Sequence, residues 1–133
     1  MELVVRLLIV AAIVSLAWAT GRSITRWFTA ERSPNTFEAK DAGLVKGGPA
    51  LIHFTTPYCH ECQLAQPVLA AASKDHGMQL AHIDARDRPD LANKYKVRST
   101  PTILLIDERG TVHRSWFKTP EVADLTAAMF AVA

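Results

Sequence analysis

The two cysteines of this chain stand three residues apart, in Cys59-His60-Glu61-Cys62, and the chain has only these two. Thiols at that spacing close into a disulfide or open into a dithiol, and with no third cysteine any disulfide within one molecule joins Cys59 to Cys62. Redox exchange is the first chemistry to consider. Metal binding is the second, because the pair with His60, and with His53 or His82, offers the sulfur and imidazole donors that zinc and copper(I) take. Against it, His60 lies between the cysteines on one helical turn, and no second Cys-x-x-Cys completes a tetrahedron. A non-catalytic binding module is a third class, and the presence of both cysteines weighs against it.

The flanking sequence must position the pair. Ala50-Leu-Ile-His-Phe54 is a nearly continuous apolar run between Gly47-Gly48-Pro49 and Thr55-Thr56-Pro57, the pattern of a strand buried on both faces. A helical pattern follows Cys59, with Leu64, Val68, Ala71 and Ala72 as its predicted inner face, Pro67 as a bend and Gly77 as the stop. This order puts Cys59 at a helix start, where unpaired amides and the macrodipole favour an anion, so its thiolate should form more readily than that of a free thiol. Cys62 lies one turn on and on the same face, within reach of a mixed disulfide on Cys59. Cys59 is thus the expected nucleophile and Cys62 the shielded resolving thiol.

Gln79 to Asp84 reads as a second strand, and strand–helix–strand implies a right-handed parallel unit. Pro89 opens a short helix ending near Tyr95. Thr102-Ile-Leu-Leu-Ile-Asp107 is a strong strand, Glu108-Arg109-Gly110 turns the chain, and Thr111 to Trp116 returns as a hairpin. Thr119 is the predicted N-cap and Pro120 the first residue of a last helix, whose apolar face is Val122, Leu125, Met129 and Val132. The expected fold class is α/β, a mixed central sheet flanked by helices.

Phe54-Thr-Thr-Pro-Tyr-Cys-His-Glu-Cys62, with Pro67 five residues on, resembles the active-site strand, loop and kinked helix of the thioredoxin family. Tyr95-Lys-Val-Arg-Ser-Thr-Pro-Thr-Ile103 looks like the segment that carries the family's cis-proline. The match covers about 95 residues and has both blocks in order. The resemblance implies a thioredoxin-like fold and thiol–disulfide exchange with client proteins, in the service of cell redox homeostasis, with no cofactor and with a redox partner that resets the dithiol. It also implies that Pro101 is cis beside Cys59 and that the backbone of Thr100 pairs with an extended client segment; otherwise Thr100-Pro101 is an ordinary strand entry. Tyr58, where the family usually has tryptophan, lines the client groove or covers the helix start.

Three departures from the family pattern bear on tuning. His53 stands where many thioredoxins keep a buried acid that assists proton transfer at the second cysteine. A neutral imidazole serves Cys62 in the same way, or His53 is a core histidine satisfied by a backbone carbonyl. Leu80 stands where a lysine often pairs with that acid, which removes the buried ion pair. Within the motif, protonated His60 favours the Cys59 thiolate and a more oxidising site, while Glu61 opposes it.

The N-terminus is of another kind. Leu3 to Gly21, interrupted only by Arg6, is apolar and just long enough to span a bilayer, with Trp18, Trp27 and Phe28 suited to the headgroup level. A retained single-pass anchor is the preferred reading; the alternative is a cleaved signal peptide ending at Ala17-Trp18-Ala19. Arg22, Arg26 and Arg32 after the run, against Arg6 before it, favour a cytoplasmic C-terminal domain at the cell membrane. The expected organisation is anchor 1–21, polar tether 22–36 with a breaker at Ser33-Pro34-Asn35, and thioredoxin-like domain 37–133. The layout also resembles small membrane-anchored thioredoxin-like proteins of actinobacteria. A net charge of +2 with scattered Lys and Arg gives no ground for nucleic-acid binding, and 133 residues leave room for one domain with its own core.

Overall fold

The computed structural model describes residues 1–30, 34–45 and 47–133, with side chains throughout except at 22–30. It divides into two units, Met1–Arg32 and Ser33–Ala133. The first is the helix α1 (Glu2–Ala30), whose Glu2–Gly21 portion is apolar and long enough to cross a membrane by length and composition. At 1.5 Å per residue those 20 residues measure about 30 Å. The helix carries on into the stretch expected as a tether. The side chains of Arg22, Arg26, Trp27, Phe28, Arg32 and Ser33 lie outside the described residues.

In the second unit the elements run β1 (Ala50–Thr55), α2 (His60–Asp75), β2 (Gln79–Asp84), α3 (Pro89–Lys94), β3 (Thr102–Ile106), β4 (Val112–Trp116) and α4 (Val122–Val132), after a 3-10 turn at Ala39–Ala42. The sheet order is β2-β1-β3-β4. β1 is parallel to β2 and antiparallel to β3, and β4 returns antiparallel on β3, so the sheet is mixed. The two inner strands are the two apolar runs, which are covered on both faces; edge strand β4 turns His113 and Arg114 outward, as an exposed edge requires.

Alternation along the strands builds two cores. Leu51, Ile103 and Leu105 face α2 and α4, meeting Ala65, Leu69, Leu125 and Met129. Ala50, Ile52, Phe54, Leu104 and Ile106 face the other way, onto Leu91, Tyr95 and Phe37. Phe37 packs edge-on against Phe54 at 6.2 Å and tilted against Tyr95 at 4.3 Å. The Tyr95 hydroxyl is satisfied in this layer: it donates to Asp41 (2.6 Å) and accepts from the Glu38 amide (3.0 Å). Gly110, at φ 82°, turns β3 into β4 where a Cβ would run into the Phe37 carbonyl, and the Phe37 amide donates to its oxygen at 2.7 Å.

Two expectations about helices are corrected. The inner face of α2 is Cys62, Ala65, Leu69, Ala72 and Ser73, whereas Leu64 and Ala71 are exposed. Positions 62, 65, 69 and 72 follow the three- and four-residue spacing of one helix face, which leaves Leu64 on the solvent side. Thr119 does not cap α4. That helix begins at Val122 behind Glu121 with no side-chain cap, Val122 is exposed, and Thr119 is instead bonded to Glu61.

Candidate active site

Cys59 is the N-cap of α2, with extended φ, ψ of −88° and 105°. Its sulfur accepts the Cys62 amide at 3.1 Å, so one of the helix's unpaired N–H groups is already aimed at it. Cys59 and Cys62 are joined by a disulfide, with Cα atoms 5.2 Å apart. The two sulfurs sit in unlike surroundings: Cys59 is half-buried, while Cys62 is 1% exposed and belongs to the layer between α2 and the sheet.

The loop ahead of the pair faces the segment before β3. The Thr100–Pro101 bond is cis, and the Thr56 and Thr100 hydroxyls lie 3.4 Å apart across this junction. Tyr58 is 86% exposed, and the Arg86 guanidinium lies 5.5 Å from its ring centroid. Nothing in the sequence pointed to Arg86, which arrives from the loop after β2. Its approach is set where that loop tightens: Asp84 Oδ1 accepts the amides of Arg86 (2.8 Å) and Asp87 (3.4 Å).

His60 is exposed. The Glu61 carboxylate accepts the Thr119 amide at 2.9 Å, and the Thr119 hydroxyl donates to the Glu61 carbonyl at 3.3 Å. Hydrogen bonding from Thr119, its amide first and then its side chain, is the main reason the Glu61 carboxyl is held below the usual carboxylate range. Glu61 thus ties the first turn of α2 to the entry of α4.

His53 is fully buried and has His82 as its neighbour in the parallel register of β1 and β2. Their Nδ1 atoms are 3.0 Å apart, so one ring carries the shared proton and the other accepts it. The outer nitrogen of His53, Nε2, is buried without a partner. Burial, then the nearby His82, push its pKa down to about 4, and burial lowers that of His82 as well. Leu80, two residues before His82, packs against the α2–α4 core, with no charge there for His53 to meet. Among the described residues no group of three or more His, Cys, Asp or Glu, His82 included, is arranged to hold a metal ion.

The sequence profile of the thioredoxin family matches residues 30–129. The chain belongs to the thioredoxin family. It is 42% identical over 59 residues to protein disulfide isomerase-like 1-4 of Oryza sativa, covering 41% of this chain and 10% of that one. With the chloroplastic M-type thioredoxin of Zea mays it shares 32% identity over 59 residues, covering 43% and 35% of the two chains. The chain therefore spans from a tenth to about a third of the length of these relatives. Among solved structures, a thioredoxin from Halobacterium salinarum superposes with a TM-score of 0.64 at 21% identity, over 75% of this chain and 93% of the other, a likeness of fold.

Proposed function

We propose that this chain is a thiol–disulfide oxidoreductase that exchanges client disulfides through Cys59 and Cys62. The observation that carries the reading is the unequal pair at the head of α2, a half-buried sulfur that already accepts a backbone amide and a buried one bonded to it. An amide donor and the positive helix end stabilise a thiolate at Cys59, which is what an attacking sulfur needs. In the reducing direction the Cys59 thiolate attacks a client disulfide and the first client sulfur leaves. Cys62 then loses its proton and attacks Cys59; the Cys59–Cys62 bond forms and the second client sulfur leaves with the electron pair of the broken bond. The client gains two electrons and the Cys59–Cys62 pair loses them.

The other site residues take supporting roles in this reading. Tyr58, Thr100 and Pro101 form the surface against which the client segment lies, supported by the exposure of Tyr58 and by the Thr56–Thr100 contact that holds the two loops together. His53 accepts the Cys62 proton, supported by its buried, unpartnered Nε2 on the sheet face that α2 covers. His60 and Glu61 adjust the potential: His60 is free in solvent to do so, while the Glu61 carboxylate is directed at Thr119. A redox partner returns the pair to the dithiol. α1 anchors the chain in the cell membrane with the domain on the cytoplasmic side, a reading supported by its apolar length and the following arginines.

Insulin reduction by the full chain in detergent tests the chemistry. Cys59→Ser abolishes it, and Cys62→Ser accumulates a client mixed disulfide that non-reducing gels reveal. Wild-type turnover by both variants overturns the proposal. Protease protection of the protein in sealed membrane vesicles reads the side of the membrane.

A further inference from the structure

Cys62 and His53 occupy the same layer. β1 leads out through Thr55 to the loop that carries Cys59, and α2 runs back over the sheet. The inner residues of α2 follow as Cys62, Ala65, Leu69, Ala72 and Ser73, so its first turn lies over the end of β1 and its last turns lie over the beginning. His53 shares the α2 face with Leu51 and is the one nearer that end. Of the polar side chains on the inner face, Ser73 is about 16 Å along the helix from Cys62 and bonds to the Ala70 carbonyl. The other polar side chain on that inner face is Cys62, in the first turn of α2. β3 presents Ile103 to His53, α4 brings Leu125 and Met129 into this layer, and on β2 the next acid, Asp84, has Oδ1 on the amides of Arg86 and Asp87. Among the described residues the buried side-chain nitrogen and oxygen atoms are otherwise paired, and the one imidazole nitrogen without a partner stands on the sheet face covered by the helix whose thiol must change its proton.

The other end of the histidine pair is wet. His82 is exposed on the edge strand β2, while His53 is fully buried beside it. The Nδ1–Nδ1 contact joins a sealed site to solvent through two rings. We propose that His53 and His82 form a two-ring proton relay between the Cys62 thiol and water, with His82 as the positioning and exchange residue. The proposal rests on the exchange chemistry of the Cys59–Cys62 pair. Before resolution His53 carries its proton on Nδ1 and His82 on Nε2. Through one bridging water the Cys62 S–H gives its proton to His53 Nε2, His53 Nδ1–H passes its own to His82 Nδ1, and His82 Nε2–H releases one to solvent. One proton has left the thiol, both rings have exchanged tautomers, and neither has held a net charge after the transfer. When the disulfide is reduced again, the departing Cys62 thiolate takes a proton from His53 Nε2–H and the sequence reverses. Neutral rings suit this exchange, and burial holds both toward the neutral form.

The test separates the two steps of a single turnover by the reduced full chain in detergent, with an insulin-derived disulfide peptide as client. His82→Gln keeps a hydrogen-bonding side chain and cannot relay. It should leave mixed-disulfide formation unchanged, measured in the Cys62→Ser background, and slow resolution by Cys62 at least about tenfold at pH 7. The slowed step should recover with rising pH and with added imidazole. Resolution at the wild-type rate and pH profile overturns the relay, as does equal slowing of both steps. A Cys62→Ser protein that forms no mixed disulfide with the peptide overturns the oxidoreductase reading instead. A second measurement needs no variant: two-bond proton–nitrogen correlation spectra of the wild-type chain should show the His53 and His82 tautomers exchanged between dithiol and disulfide forms. The same tautomers in both forms also overturn the relay.

Discussion

Lowering the pH should weaken the oxidised protein through His53, and the size of the effect follows from its burial. In the unfolded chain this imidazole titrates near its ordinary 6.5; in the fold it is pushed down to about 4, first by burial and then by His82. Between those values the unfolded state binds the proton and the folded state does not, so stability rises with pH across the window. The contribution is fully present above about pH 6.5 and is lost as the pH falls toward 4. Linkage gives a loss of about 2 kcal/mol by pH 5 and about 3 kcal/mol at pH 4. Urea unfolding of the oxidised full chain in a nonionic detergent, followed by near-ultraviolet circular dichroism at pH 7, 6 and 5, measures it. With the disulfide closed the thiols do not titrate, and subtracting the His53→Leu variant removes the carboxylates. The variant should lose about 2 kcal/mol less than wild type between pH 7 and 5. Parallel losses would refute the assignment of His53 as a buried neutral base.

Three further perturbations probe the scaffold and the rim of the site. Gly110→Ala places a methyl group against the Phe37 carbonyl at a positive φ, and should cost about 2 kcal/mol or more in the same unfolding assay. Tyr95→Phe removes the hydroxyl that bridges Asp41 and the Glu38 amide; about 1–2 kcal/mol should be lost, with the insulin assay unaffected. Tyr58→Ala, at an exposed position, should leave stability within about 0.5 kcal/mol while raising KM for protein clients more than for a small disulfide. An unchanged KM for proteins would take Tyr58 out of the client surface.

Much of the domain was legible because its signals are local. Gly-Pro and Thr-Pro borders around an apolar run define β1, Pro89 defines α3, and Glu108-Arg109-Gly110 defines the hairpin. The errors fall where a side chain's partner lies far along the chain. Thr119-Pro120-Glu121 has the composition of a helix start, yet Glu61, 58 residues away, competes for the Thr119 amide and hydroxyl. The apolar stripe predicted from Leu64 gives way to one that starts at Cys62, which is buried in the first turn of α2.

By itself, then, the sequence determined the reactive pair, its place at a helix start, the family, and the existence of an apolar helix ahead of the domain. Each depends on neighbours within a few residues, where spacing and residue type suffice. What only the tertiary structure decided is the company the pair keeps. Whether position 53 meets a charge, a carbonyl or another histidine depends on which residue of β2 lies across from it, and that register is fixed by packing on both faces of the sheet. Parallel pairing set His82 beside His53, left the His53 Nε2 nitrogen buried without a partner, and turned an isolated histidine into the buried member of a pair that opens to solvent.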